Sequence, residues 1–262
     1  MNPYTYELQA KIEDWHWWFV GRRKIIFSFL DRVLDKNKSL KILDVGCGTG
    51  KNLTILNQYG QAVGIDELET PLAICAQKRI SNVARASCVN IPFQDNSFDL
   101  VTALDVLEHV EDDNRALKEC CRVLKQDGTL LVSVPAFSFL WGLQDEVSHH
   151  KRRYTKKNLV EKLRQAGFEI QKATYFNFLL FAPIFVGRLI LKFIPHRLKS
   201  ENDLTAPGIN WLLKNIFASE AVILNKFNLP FGVSLAAIGR KVLGLQSGPS
   251  ATHDSTVKVS VI

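Results

Sequence analysis

No two of the five cysteines, Cys47, Cys75, Cys88, Cys120 and Cys121, stand at C-x-x-C spacing, and their odd number leaves one over from full pairing. That argues against a disulfide framework and for a reducing, cytoplasmic setting in which cysteine serves as a small apolar residue. Cys120 and Cys121 are adjacent, so their thiols diverge on a helix, and no metal-ligand set is assigned. A secretory leader is not expected, because Glu7, Lys11, Glu13 and Asp14 interrupt any apolar run near the start. Repeats and long low-complexity segments are absent. Phe178 to Ile194 is strongly apolar, but Pro183, Arg188 and Lys192 break it, and it falls short of the ~20 residues that a bilayer requires.

What the chain does hold begins with Leu43-Asp44-Val45-Gly46-Cys47-Gly48-Thr49-Gly50. A short apolar run ends at three alternate glycines, and Lys51 to Tyr59 reads as a helix stopping at Gly60: strand, tight turn, helix. This is the context in which backbone N–H groups approach a nucleotide-like ligand. The spacing G-x-G-x-G is one residue tighter than the dinucleotide pattern. Asp44 at the strand end suits a cationic amine and would repel a pyrophosphate. Asp66, 20 residues after Gly46, ends the next apolar run where an acid accepts from ribose hydroxyls. Amine plus ribose without phosphate describes S-adenosylmethionine. The alternative is a loop that serves only a strand-to-helix turn.

The 262 residues, 47% hydrophobic, suffice for one sizeable α/β domain with an insertion. A net charge of +7 favours acidic partners without choosing among nucleic acid, phosphorylated substrates and anionic lipid. Strand and helix signals alternate: strands over 62–66, 83–86, 98–104 and 129–134, and helices over Thr70–Arg79, with Pro71 at its first position, and Asn114–Leu124. Such alternation argues a parallel, doubly wound sheet.

The motifs L-D-V-G-C-G-T-G, G-I-D, I-P-F, F-D-L-V, L-E-H-V and G-T-L-L-V-S-V-P, in that order, resemble those of class I S-adenosylmethionine-dependent methyltransferases of the small-molecule type. The likeness covers roughly residues 15 to 175 and recurs weakly near 229 to 241. It implies a Rossmann-like, seven-stranded, mainly parallel sheet with an antiparallel last strand, here with a helical insertion between strands 6 and 7. It also implies S-adenosyl-L-methionine as cofactor. Asp44 would orient the methionine amino group, and Gly46, Cys47, Gly48 and Gly50 would let the backbone approach. Asp66, with Glu67 beside it, would bind the ribose. Cys88 would offer its N–H to adenine, and Leu104 and Asp105 would flank the methionine portion. Ser87 stands where many relatives place an acid for the adenine amino group, and its hydroxyl accepts less strongly.

Candidates for the acceptor side lie elsewhere. His109, in the Leu-Glu-His-Val run, is either a base or a loop organiser, and Glu108 is expected to be solvated or capping. Asp145-Glu146-Val147-Ser148-His149-His150-Lys151-Arg152-Arg153-Tyr154-Thr155 follows the fifth strand and resembles the H-x-R-R-Y-T segment of a bacterial subgroup. His150, ahead of His149, is suited to take a hydroxyl proton, with Asp145 also assigned to catalysis. The arginines suit phosphate or carboxylate recognition. The alternative is a basic approach to a helix over Thr155–Ala166, capped by Thr155, whose Lys156 and Lys157 oppose its dipole. Phe137, Phe139 and Trp141 could line an apolar cavity.

The organisation read from these signals is an aromatic and basic helical lid over 1–36 and a cofactor-binding core over 37–177. An apolar insertion follows over 178–228, then a final strand within 229–245 and a tail over 246–262 expected to be mobile. Within the lid, four aromatics among Trp15 to Phe19 either cover a pocket or pack a helix onto the sheet, and Arg22 or Arg23 could reach a ligand carboxylate. Arg188, Lys192 and His196 recur on one helical face, as in a helix lying in a membrane interface; a substrate lid or dimer surface is the competing reading. The expected activity is methyl transfer to a hydroxyl oxygen of a small or lipid-linked acceptor, on or off the inner face of a membrane. Nucleic acid is not the expected partner. The fourth strand ends Ala103-Leu104-Asp105, without the two prolines common in base amino-group methylation. An RNA methyltransferase and a non-catalytic cofactor-binding module remain the alternatives.

Overall fold

The computed structural model describes residues 3–35, 38–193 and 207–242. Its strands are β1 (Leu40–Val45), β2 (Gly60–Asp66), β3 (Val83–Arg85), β4 (Phe98–Leu104), β5 (Leu124–Pro135), β6 (Phe168–Phe176) and β7 (Ser234–Lys241). They form one sheet in the order β3-β2-β1-β4-β5-β7-β6. β1 to β5 pair in parallel, and β7 lies antiparallel between β5 and β6. The order reverses beside β1, which leaves a crevice outside the carboxyl ends of β1 and β4, where open α/β sheets take ligands.

Both faces of the sheet are buried, so its strands are apolar in both directions, as parallel strands between helical layers must be. Leu43, Val101 and Val132 face one cluster with α5 (Asp113–Val123) and α7 (Lys156–Gln165). Ile42, Leu100 and Leu131, one residue away in each strand, face the other with α2 (Trp17–Val33), α3 (Lys51–Leu56) and α9 (Pro207–Leu224). The remaining helices are α1 (Pro3–Ile12), α4 (Glu69–Gln77), α6 (Leu143–Val147) and α8 (Phe181–Phe193). α4 opens at Glu69, so Pro71 stands at its third position and not its first. β5 begins at Leu124, five residues before the expected Thr129: the Asp127-Gly128 turn is absorbed where pairing with β4 slips between Phe98 and Leu100.

Two expected segments divide. Within 1–36, α2 buries Ile25, Ile26, Phe29 and Leu30 completely or nearly so and is a structural layer, while α1 stands over the sheet crevice. Within 178–228, α9 is likewise a core helix. Phe217 and Leu224 are fully buried, and Phe217 stacks on Phe176 with ring centroids 6.2 Å apart. Gly21 of α2 admits this ring, since a Cβ there would collide with it. α8 has no buried residue among those described and exposes Phe185, Val186, Leu189 and Ile190, while α9 exposes Ile209, Trp211, Leu212, Val222 and Ile223 on the side away from the core. His196 and the tail lie outside the described residues, as does the Lys192 side chain. Among the described residues no helix is long and apolar enough to cross a membrane.

Phe217→Ala should lower the unfolding free energy by about 3–5 kcal/mol, read from urea denaturation, because the cavity opens between two packed helices and the sheet.

Candidate active site

β1 delivers its last residues into the glycine turn, where Gly46 and Gly48 take φ of +66° and +55°. A Cβ on Gly48 would meet nothing within 4 Å, so that face of the turn is open to a ligand. Asp66, ending β2, accepts from the Gly48 and Leu68 N–H groups, both at 3.0 Å. Burial raises its pKa against the pull of these donors. Asp44 accepts from the Thr102 hydroxyl at 2.6 Å, while its Oδ2 has no hydrogen-bond partner. Burial pushes its carboxyl up to about 7, with Thr102 opposing.

These groups border a cavity of about 720 Å³, within the range of small-molecule sites. Gly46, Cys47, Gly48, Asp66 and Glu67 line it, as do Ser87, Cys88, Leu104 and Asp105. Asp44 and Gly50 are not among the lining residues; they stand behind the wall. Gly50, at φ +80°, is the N-cap of α3, and a Cβ on it would strike Ile80 and Cys75.

Above the turn, Thr5, Tyr6 and Gln9 of α1 close the cavity, and none of them carried a signal in the sequence. Glu13 secures this cover: it is buried, accepts from the Thr49 hydroxyl at 2.6 Å and pairs with Lys78. His16 accepts from the Trp18 N–H through Nδ1 and caps α2, with burial lowering its pKa to about 4. Of the aromatic run, Trp17, Trp18 and Phe19 line the cavity, and Trp17 also packs on Phe217 of α9. Arg22 reaches the cavity, but its guanidinium pairs with Asp105 at 2.8 Å and lies 5.3 Å from the Trp18 ring centre. Arg23 instead donates to the Glu13 carbonyl.

The opposite end of the cavity is built by two segments tied together. Lys151 N–H donates to the Glu108 carbonyl at 2.7 Å, and the buried Tyr154 hydroxyl bridges the Leu107 carbonyl and Asp113 at 3.1 and 2.8 Å. Asp145, fully buried, receives Arg153 on both oxygens at 2.8 Å and His150 Nδ1 on Oδ1 at 2.8 Å. Burial alone would raise the Asp145 pKa, but the hydrogen bonds from His150 and Arg153 hold it well below the usual carboxylate range. An ionised Asp145 accepts, so His150 carries its proton on Nδ1 and presents Nε2 as a lone-pair nitrogen. His150 and not the exposed His149 lines the cavity, and His109 stands against it with ring centroids 4.7 Å apart. Burial lowers the His109 pKa to about 3.

Three expectations change here. Asp145 lines the cavity but is fully buried, and both its oxygens are engaged by Arg153 and His150, so it orients His150, which is a positioning role. Arg153 spends its guanidinium on Asp145 and the Ala136 carbonyl, and Arg152 and Lys151 pair with Asp113 and Glu111. Glu108 is neither solvated nor capping: it is fully buried, and neither carboxylate oxygen has a hydrogen-bond partner. Desolvation, with Asp105 nearby, raises its pKa well above the ordinary value.

Comparison with known proteins assigns this architecture. Residues 43–132 match a methyltransferase domain family. The chain is 28% identical over 160 residues to a probable S-adenosylmethionine-dependent methyltransferase of Mycolicibacterium smegmatis, covering 60% of this chain and 61% of that one. It is 31% identical over 134 residues to a probable tRNA methyltransferase 9B of Bos taurus, covering 48% of this chain and 28% of that one. The chain thus spans less than two thirds of these relatives. Among solved structures, the [4+2]-cyclase SpnF superposes with a TM-score of 0.56 at 25% identity, covering 85% of this chain and 81% of its own.

Arg153→Ala should cost about 3–5 kcal/mol of stability at pH 7 by leaving Asp145 buried without its partner. Because the native Asp145 pKa is depressed, this contribution is complete above the unfolded value near 4 and is lost as pH falls through the native one. Denaturant titrations of both proteins at pH 7 and pH 3 should therefore show the gap shrinking in acid.

Proposed function

We propose that this chain, which carries a class I S-adenosylmethionine-dependent methyltransferase domain over residues 43–132, methylates a hydroxyl oxygen of a small or lipid-linked acceptor. The observation that carries the reading is a single cavity that has the glycine turn and Asp66 at one end and the His150–His109 pair at the other. The residues fit the cofactor. Gly48 leaves room for close approach, Asp66 keeps lone pairs for ribose hydroxyls, and Asp44, behind the turn with an orphaned buried Oδ2, is placed as a counter-charge for an amine. Cys88, with Ser87 beside it, lines the wall suited to adenine.

The bound cofactor supplies a sulfonium methyl that is already activated. The protein then has to align an acceptor and accept its proton. Asp145 holds the tautomer of His150 that leaves Nε2 as the acceptor of that proton. His109, its pKa lowered by burial to about 3, is a poor base and serves as the wall against which His150 rests. Arg22 fixes Asp105 beside Leu104, which shapes the path between the two ends.

A lipid-linked or amphipathic acceptor is supported by α8. Ile184 and Arg188 line the cavity, while Phe185, Val186, Leu189 and Ile190 stand exposed on the same helix, near exposed Phe139. With the +7 charge of the chain, this apolar face suits an anionic membrane surface. The relative named as a tRNA methyltransferase favours RNA as the second reading.

Incubation with methyl-labelled S-adenosylmethionine and fractionated extract should place label in the lipid or small-molecule fraction; label in RNA would overturn the acceptor class. His150→Ala should lower turnover about 10²–10⁴-fold with calorimetric cofactor binding unchanged, and full turnover would overturn its role. In flotation with anionic vesicles the chain should rise with the lipid, and a Val186→Glu, Ile190→Glu variant should stay behind. Equal behaviour of the two would remove the membrane surface.

A further inference from the structure

Glu108 has no task in the reaction just described, yet it is built into the cavity wall. Its side chain is fully buried and lines the acceptor end, with neither oxygen hydrogen-bonded. A carboxylate in that state is costly unless a proton or a cation neutralises it. The neighbouring guanidiniums are already engaged, Arg22 by Asp105 and Arg153 by Asp145. Beside Glu108 stand His109 and His150, and one ligand atom from each of the three lies within 4.8 Å of the others.

Both imidazoles are held from behind. Asp145 takes Nδ1 of His150 at 2.8 Å, and the Ser148 backbone hydrogen-bonds the His109 ring. Metal-ligating histidines are oriented in this way, one ring nitrogen tied to a carboxylate or carbonyl and the other turned to the ion.

We propose that Glu108, His109 and His150 hold a first-row divalent cation whose remaining coordination positions open into the cavity. Two imidazoles and one carboxylate suit Zn²⁺, Fe²⁺ or Co²⁺ better than Mg²⁺, which prefers oxygen ligands. Ligand atoms around tetrahedral Zn²⁺ stand about 3.4 Å apart, so the three side chains draw together on binding. The carboxylates of Glu108, Asp105 and Asp145 outnumber the guanidiniums of Arg22 and Arg153 around the site, which leaves it acidic enough for a dication.

The cation's role, though not its binding, rests on the methyl-transfer reading. It takes Nε2 of His150 as a ligand and receives the acceptor hydroxyl on an open position. It acidifies that hydroxyl in place of the imidazole base, and the proton passes to solvent water. His150→Ala lowers turnover under either role of the imidazole; Glu108 is the residue that separates them.

The test uses the untagged full chain, stripped with chelator and free of S-adenosylmethionine. Calorimetry with Zn²⁺ should give one cation per chain, and Co²⁺ should produce visible ligand-field absorption. Glu108→Gln keeps the shape and removes the charge, and it should weaken Zn²⁺ binding at least tenfold; His109→Ala should do the same, with circular dichroism confirming that each variant is folded. No stoichiometric cation in the wild type, or unchanged affinity in both variants, overturns the site. S-adenosylmethionine binding is measured on the same samples. Its loss in the wild type counts against the cofactor reading alone, and its retention without cation binding counts against the metal alone.

Discussion

The buried pair between Asp145 and Arg153 is the contact on which the His150 end of the cavity depends. Arg153 reaches both carboxylate oxygens and the Ala136 carbonyl at 2.9 Å, so it clamps the segment after α6 onto the end of β5. With Asp145 fixed and ionised, His150 has one orientation and one tautomer. The same clamp places Tyr154 where its hydroxyl meets Leu107 and Asp113, which anchors the turn carrying Glu108 and His109. Ion pairs of this kind contribute little net stability when compared with apolar packing, but breaking one partner away is costly. Here the pair's value is geometric, because it brings two segments about forty residues apart in sequence to a common wall.

The other end of the cavity is set by the sheet itself. Parallel β1, β2 and β4 terminate side by side, so Asp44, Asp66 and Asp105 arrive at one edge without any loop having to reach. Each acid is then held differently: Asp66 by two backbone N–H groups, Asp105 by Arg22 and Ser133, and Asp44 by one hydroxyl with an oxygen to spare. That difference in partners, more than their common chemistry, separates the three into a polar contact, a spacer and a buried counter-charge.

The long basic segment looked like a ligand-binding surface in the sequence because charge pattern does not reveal where partners lie. Folding brings Glu111, Asp113 and Asp145 against Lys151, Arg152 and Arg153, and most of that charge is met internally. Likewise the apolar insertion read as a unit, yet one side of α9 is drawn into the core through Phe217 and Leu224, while α8 buries none of its described residues. Hydropathy alone cannot tell burial from exposure when both helices are apolar. Glu108 reads in the sequence as solvated or capping because a charged residue at the start of a helical turn ordinarily is, and only the tertiary packing takes it out of water.

Local patterns sufficed for what local physics governs. The alternating strands and the three glycines after Asp44 determine the sheet and the turn, since strand period and left-handed φ act over a few residues. The tertiary structure alone decided which helices are layers and which are cover, that α1 closes the cavity through Tyr6 and Gln9, and that Glu108, His109 and His150 share one wall. Those outcomes depend on contacts between segments far apart in the chain, and a buried side chain's partners are not encoded in its immediate neighbours.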